Sequence, residues 1–325
     1  MLPADPTDPV TVADQAIATA SPALWAALSG LGRQAQVPEN FLPQQTAEAR
    51  GKRWNATIGQ ITDGRGGVLP LSPMAAALAG LAPALANQAF LYSPVEGLAE
   101  LRRRWRERQR GGLPAAAVPS TLPIVTAGPG LALSLAADLF LVPGRTVILP
   151  DPHPPGYPEI FTLRSSARES FVPAPGGRPD PAALAGLLAG VPSGEPAVVV
   201  LRTPAEEGGP VLAGDDRQAL GDVLAAAAGE RPLIVVLDDA WEREGSSLFW
   251  DLAGRHPQLV AVKIDGPGGE LGFPGGGVGF FTLPFEPESA VARAMEGKIK
   301  MLLRAVVGSP PALGQAVLLA DLAGI

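Results

Sequence analysis

The sequence predicts an α/β protein built as a three-layer, doubly wound, mostly parallel sheet, and three observations carry that expectation. Short β-branched runs alternate with Ala/Leu-rich helical stretches from residue 120 onward. The runs are continuously apolar, as in Leu233-Ile234-Val235-Val236-Leu237, which suits strands covered on both faces. With 325 residues and 46% apolar side chains, the chain can also fill a sizeable core.

The elements follow in order. The first fifty residues are interrupted by prolines and predict an N-terminal arm (1–50) with one short helix near Pro22–Leu31. A large domain is expected over 51–285. Its strands are Pro123–Thr126, Thr146–Pro150, Ala197–Thr203, Leu233–Leu237, Leu259–Ile264 and Val278–Leu283. Helical periodicity falls between them at Leu131–Leu141, Ala182–Ala189 and Arg217–Ala228. After Pro284 the pattern is helical again, through Glu286–Val306 and Ala312–Ala323. That stretch (286–325) reads as the start of a truncated small domain. Its last helix has no evident partner in the sequence, so the apolar surface around Ala312–Ile325 is expected to be exposed.

Composition narrows the function classes. There are no cysteines, which excludes disulfides, thiolate metal sites and cysteine nucleophiles. A net charge of −7 repels phosphate backbones, so nucleic acid is not an expected partner. The one basic block, Arg102, Arg103, Arg104, Arg106, Arg108 and Arg110, follows Leu98 and Leu101 at helical spacing and predicts a solvated helix face. The N-terminus, MLPADPTDP, is acidic and proline-broken, unlike a secretory or transit signal. The chain's most apolar stretches, such as Leu131 to Val142, are short and interrupted by Asp138, so no membrane span is expected and the cytoplasm is the default.

In doubly wound sheets, ligands sit at the carboxyl ends of the strands. The residues to weigh are therefore Thr126–Gly130, Asp151–Tyr157, Pro204–Gly209, Asp238–Trp241 and Asp265–Gly277. Four segments, taken together and in order, are similar to one family. They are Asn55-Ala56-Thr57-Ile58-Gly59, Tyr92 through Gly97-Leu98-Ala99-Glu100-Leu101-Arg102, Leu122 through Gly128 ahead of a helix, and Asp238-Asp239-Ala240-Trp241. They resemble class I/II aminotransferases, of pyridoxal-phosphate fold type I, from about residue 50 to the C-terminus. The resemblance implies pyridoxal phosphate as cofactor and a homodimer, or pairing with an active homologue, with sites shared between subunits.

Each resembling position has a chemical reason. Asp238, at a strand end, fits the carboxylate that keeps the cofactor's pyridine nitrogen protonated; a strand-end aspartate also caps turns. Trp241 stands where the family has a tyrosine bonding the ring oxygen, and indole donates but cannot accept. Gly128 and Gly130 flank a helix N-terminus suited to phosphate. Tyr92 matches the tyrosine of the first motif, and His153 lies near the family's aromatic stacking position.

The departures are as specific. Pro129 lacks an N–H and Gly130 a hydroxyl, Glu206 replaces the family's ring-oxygen asparagine, and Gly268 and Gly277 replace a phosphate-binding threonine and arginine. The Schiff-base lysine aligns with Gly269. Lys52, Lys263, Lys298 and Lys300 are the only lysines, and Lys263 lies six residues early on a strand rising about 3.3 Å per residue. The resemblance thus implies a catalytically inactive relative with weak or absent, non-covalent cofactor binding. The alternatives are an active aminotransferase with a relocated lysine, and a small-ligand binder reusing Asp238, Glu206 and His153.

Overall fold

The computed structural model describes residues 9–34, 47–52, 83–113, 118–154, 156–202, 204, 211–241, 246–267 and 276–323. Seven strands form one sheet in the order β1-β7-β6-β5-β4-β2-β3. They are β1 (Ile124–Thr126), β2 (Thr146–Asp151), β3 (Arg168–Pro173), β4 (Ala197–Leu201), β5 (Leu233–Asp238), β6 (Leu259–Asp265) and β7 (Gly279–Thr282). The run from β3 to β6 is parallel, and β7 lies antiparallel between β6 and β1. The expected α/β class and mostly parallel sheet are present.

Side chains alternate across the strands and so build two cores. Val198, Val200, Ile234, Val236, Val260, Val262 and Ile264 face one layer, formed by α1 (Pro9–Ala20), α2 (Pro22–Ala27), α6 (Pro129–Phe140) and α10 (Ala290–Val307). Val199, Leu201, Val235, Leu237 and Ala261 face the other, with α7 (Pro181–Ala189), α8 (Gly214–Ala228) and α9 (Phe249–Leu252). Covering on both faces explains why the strands read as unbroken apolar runs.

Several expectations are corrected. Residues 9–34 hold three helices, not one: α1, α2 and α3 (Gly30–Gln34), and α1 packs against α10. The last helix, α11 (Ala312–Ala323), does have partners, packing on α4 (Pro83–Ala89) and α5 (Ala99–Arg110). Ala316, Leu318, Leu319 and Ala320 are buried there beside Leu101 and Trp105, so among the described residues much of the apolar surface expected to be exposed around Ala312–Ile325 is covered, Leu313 excepted. Nor is α5 a solvated arginine face. Arg102 and Arg110 are buried, and a stripe at four-residue spacing clamps the segment leading into β1. Arg102 donates to Pro123 O (2.8 Å), Arg106 to Ser120 O (3.0 Å) and Arg110 to Val118 O (3.0 Å). Carbonyls approaching a sheet without strand partners need donors, and long guanidinium side chains reach them.

Candidate functional site

The carboxyl edge of the sheet brings together Asp238, Tyr157, His153 and Arg202. Asp238 ends β5 and is buried; its register partner is Ile264 on β6. Leu201 of β4 pairs with Leu237, so Arg202 leaves β4 beside Asp238. The Tyr157 hydroxyl donates to Asp238 Oδ2 at 2.5 Å, Arg202 Nη1 is 3.5 Å from the same oxygen, and Ala240 N donates to Oδ1 at 3.3 Å. Phe161 packs edge-on to Tyr157, and the His153 ring lies nearly parallel to Tyr157 (6.2 Å) and to Phe171 (5.6 Å). His153 thus stacks on two protein rings, with Nδ1 held 3.0 Å from Pro154 O.

Burial raises the Asp238 carboxyl above its usual value, opposed by the neighbouring Arg202 and the Tyr157 hydrogen bond. Burial likewise pushes the Tyr157 phenol well up, reinforced by Asp238 and opposed by Arg202. Tyr157 therefore remains a neutral donor.

The other expected residues sit as follows. Gly128 caps α6 with φ +89°, a backbone that favours glycine, and a Cβ on Gly128 or Gly130 would meet open space. The Gly128-Pro129 turn lies against β7: a Cβ on Gly279 would come within 2.3 Å of the Gly128 carbonyl carbon. A Cβ on Gly266, two residues beyond the register partner of Asp238, would come within 3.1 Å of Pro129 Cγ. Turn and carboxylate therefore share one edge of the sheet. Trp241 is half-buried in the turn after β5. Gly277 also has positive φ (+59°) and offers no side chain. Tyr92 is 67% exposed and lines a groove with Ser309–Ala312, away from Asp238 in the described contacts. Residues 55–59, Glu206, Gly268 and Gly269 lie outside the described residues. Among the described residues, no group of three or more histidine or carboxylate side chains is placed to hold a metal ion.

A second buried polar cluster occupies the opposite face of the same strands. Lys263 Nζ is 2.6 Å from Asp239 Oδ2 and 3.6 Å from Asp265 Oδ2. Asp239 also accepts from Ser247 (2.7 Å), and Asp265 accepts from Trp105 Nε1 (3.0 Å) and from Gln109 Nε2 at both oxygens. Burial raises the Asp265 carboxyl, with Lys263, Trp105 and Gln109 pulling against it. The sequence reading missed Tyr157 and Arg202 as a pair. Arg202 directly follows β4 and Tyr157 lies in the segment that follows β2, and those places were the available signal.

No family model matches the chain, and no curated protein matches it. Its fold does match solved structures. An aminotransferase from Anaerococcus prevotii superposes with a TM-score of 0.64 at 15% identity, over 86% of this chain and 71% of that one. An aromatic amino acid aminotransferase from Burkholderia cenocepacia gives 0.56 at 21% identity, over 72% and 59%. A Thermus thermophilus aspartate aminotransferase mutant gives 0.56 at 22%, over 76% and 64%. The matched region thus spans less than two thirds of the length of the last two. The fold is aminotransferase-like, that of a type I large domain.

Proposed function

We propose that this chain is an aminotransferase-like protein that forms no Schiff base and catalyses no transamination, and that it works as a non-catalytic subunit in a cytoplasmic dimer. The observation that carries this reading is the placement of its lysines. Lys263 is buried in the pair with Asp239, Lys298 pairs with Asp14 (2.8 Å), and Lys300 with Glu96 (2.8 Å). Lys52 is exposed in a turn ahead of residue 53. A nucleophilic amine must be free to reach an aldehyde, and a carboxylate partner holds those of Lys263, Lys298 and Lys300 in place.

The remaining residues fit pyridoxal phosphate poorly. Asp238, its ring-nitrogen partner by resemblance, already holds Arg202 and Tyr157. Pro129 offers no N–H at the helix N-terminus, and Gly130 and Gly277 offer no side chains to a phosphate. Each missing charge-assisted contact costs about 1.5–3 kcal/mol, so two or three weaken binding by several powers of ten. Tyr92, Trp241, His153 and the glycines are read as remnants of a cofactor site. The exposed Tyr92 suits a contact with a second subunit, either another copy of this chain or an active homologue.

The test is borohydride reduction with excess pyridoxal phosphate, followed by mass spectrometry and an assay for transamination, with light scattering on the same sample. The expected result is a dimer without a stoichiometric lysine adduct, and Gly269→Lys alone does not restore activity. One adduct at Lys263 with measurable turnover would establish the relocated-lysine alternative, and a monodisperse monomer would remove the subunit role.

A further inference from the structure

We propose that Arg202 determines what this site rejects: its guanidinium takes the place at Asp238 that a protonated ring nitrogen would need. The inference rests on the reading above and extends it from a missing lysine to a resident cation. The geometry is fixed by the sheet. Arg202 follows the β4 residue paired with Leu237, which brings Nη1 within 3.5 Å of Asp238 Oδ2, and Tyr157 fills the same oxygen at 2.5 Å.

Arginine does not deprotonate in proteins, so it cannot step aside by losing its charge, as a lysine or histidine would. The Arg202 side chain is only 15% exposed. A second cation brought to Asp238 would meet a fixed like charge in a poorly solvated place, while the carboxylate's single negative charge is already balanced. A site that keeps Asp238 but adds Arg202 has lost its preference for a pyridine ring over a benzene ring.

Two probes that cannot form a Schiff base separate this inference from the reading beneath it. They are pyridoxine 5′-phosphate and the same molecule with C–H in place of the ring nitrogen, titrated by tryptophan fluorescence or equilibrium dialysis. The native chain is expected to bind the two with affinities within about threefold. Arg202→Met is expected to bind the pyridine probe at least about tenfold tighter than the native chain does, with the carbocyclic probe unchanged. Arg202→Gln, which keeps an amide donor toward Asp238 without the charge, should gain in the same direction and covers the case where the methionine variant does not fold. Should neither variant fold, the native comparison decides alone. A native preference for the pyridine probe of about tenfold or more, or a folded variant with no gain, would overturn the role of Arg202. A lysine adduct in the borohydride experiment would instead overturn the underlying reading.

Discussion

Asp238 and Asp239 are adjacent in sequence, both are buried, and each is paired with a basic residue, yet they belong to different kinds of site. Alternation at the end of β5 sends Asp238 to one face of the sheet and Asp239 to the other. Asp239 and Asp265 clamp Lys263, while Ser247 donates to Asp239 and Trp105 and Gln109 donate to Asp265. The Asp238 cluster is looser: its ion pair is longer, Arg202 is partly exposed, and Nε of Arg202 is buried with no hydrogen bond among the described residues. A closely paired cluster specifies packing, whereas a looser one on the other face of the same strand ends leaves polar groups that a ligand could satisfy.

Removing the cation on each face puts that contrast to the test. Lys263→Met takes from two buried carboxyls the cation that both contact. It is expected to cost about 3–5 kcal/mol of unfolding free energy, the range for breaking a buried pair. Arg202→Met should cost less, about 1–3 kcal/mol, because Asp238 keeps two hydrogen bonds and a burial-raised carboxyl readily takes up a proton. Urea denaturation of both variants, with unchanged slopes, measures the difference. Equal losses would erase the distinction between a closely paired and a looser cluster.

Much of the fold was legible because its strands are buried on both faces, and β4, β5 and β6 are buried at every position. β3 was not legible: it is an edge strand, and of Arg168–Pro173 only Val172 is buried, so its pattern is polar. The arginines of α5 misled because a basic stripe at helical spacing looks the same whether it meets water or backbone carbonyls. Asp238 was legible from its place at the end of an apolar run. Tyr157 and Arg202 as its partners were not, since their meeting depends on the strand order β2-β4-β5, which the order of residues along the chain does not state.

The smallest expected effect concerns pH. Both Asp238 and Asp265 have carboxyls raised above the usual 3.8, burial being the largest cause in each. A raised folded-state value means that the native state holds its proton more tightly than the unfolded chain does. The resulting stability is complete below about pH 3.8 and is lost as pH rises through the raised value. Relative to Asp238→Asn or Asp265→Asn, the native chain should therefore lose stability on going from acid toward neutral pH, by at most about 1.4 kcal/mol per pH unit for one proton. The two clusters separate when this is repeated without their cations. In Arg202→Met the Asp238 contribution should extend to higher pH while that of Asp265 stays put, because Arg202 lowers the value of Asp238 and is not among the groups acting on Asp265. In Lys263→Met the extension should appear at Asp265 instead. Denaturation profiles from pH 4 to 8 for each Asp→Asn variant in each background measure this. An extension that appears at both carboxyls when either cation is removed would mean that the two faces of the sheet share one electrostatic site.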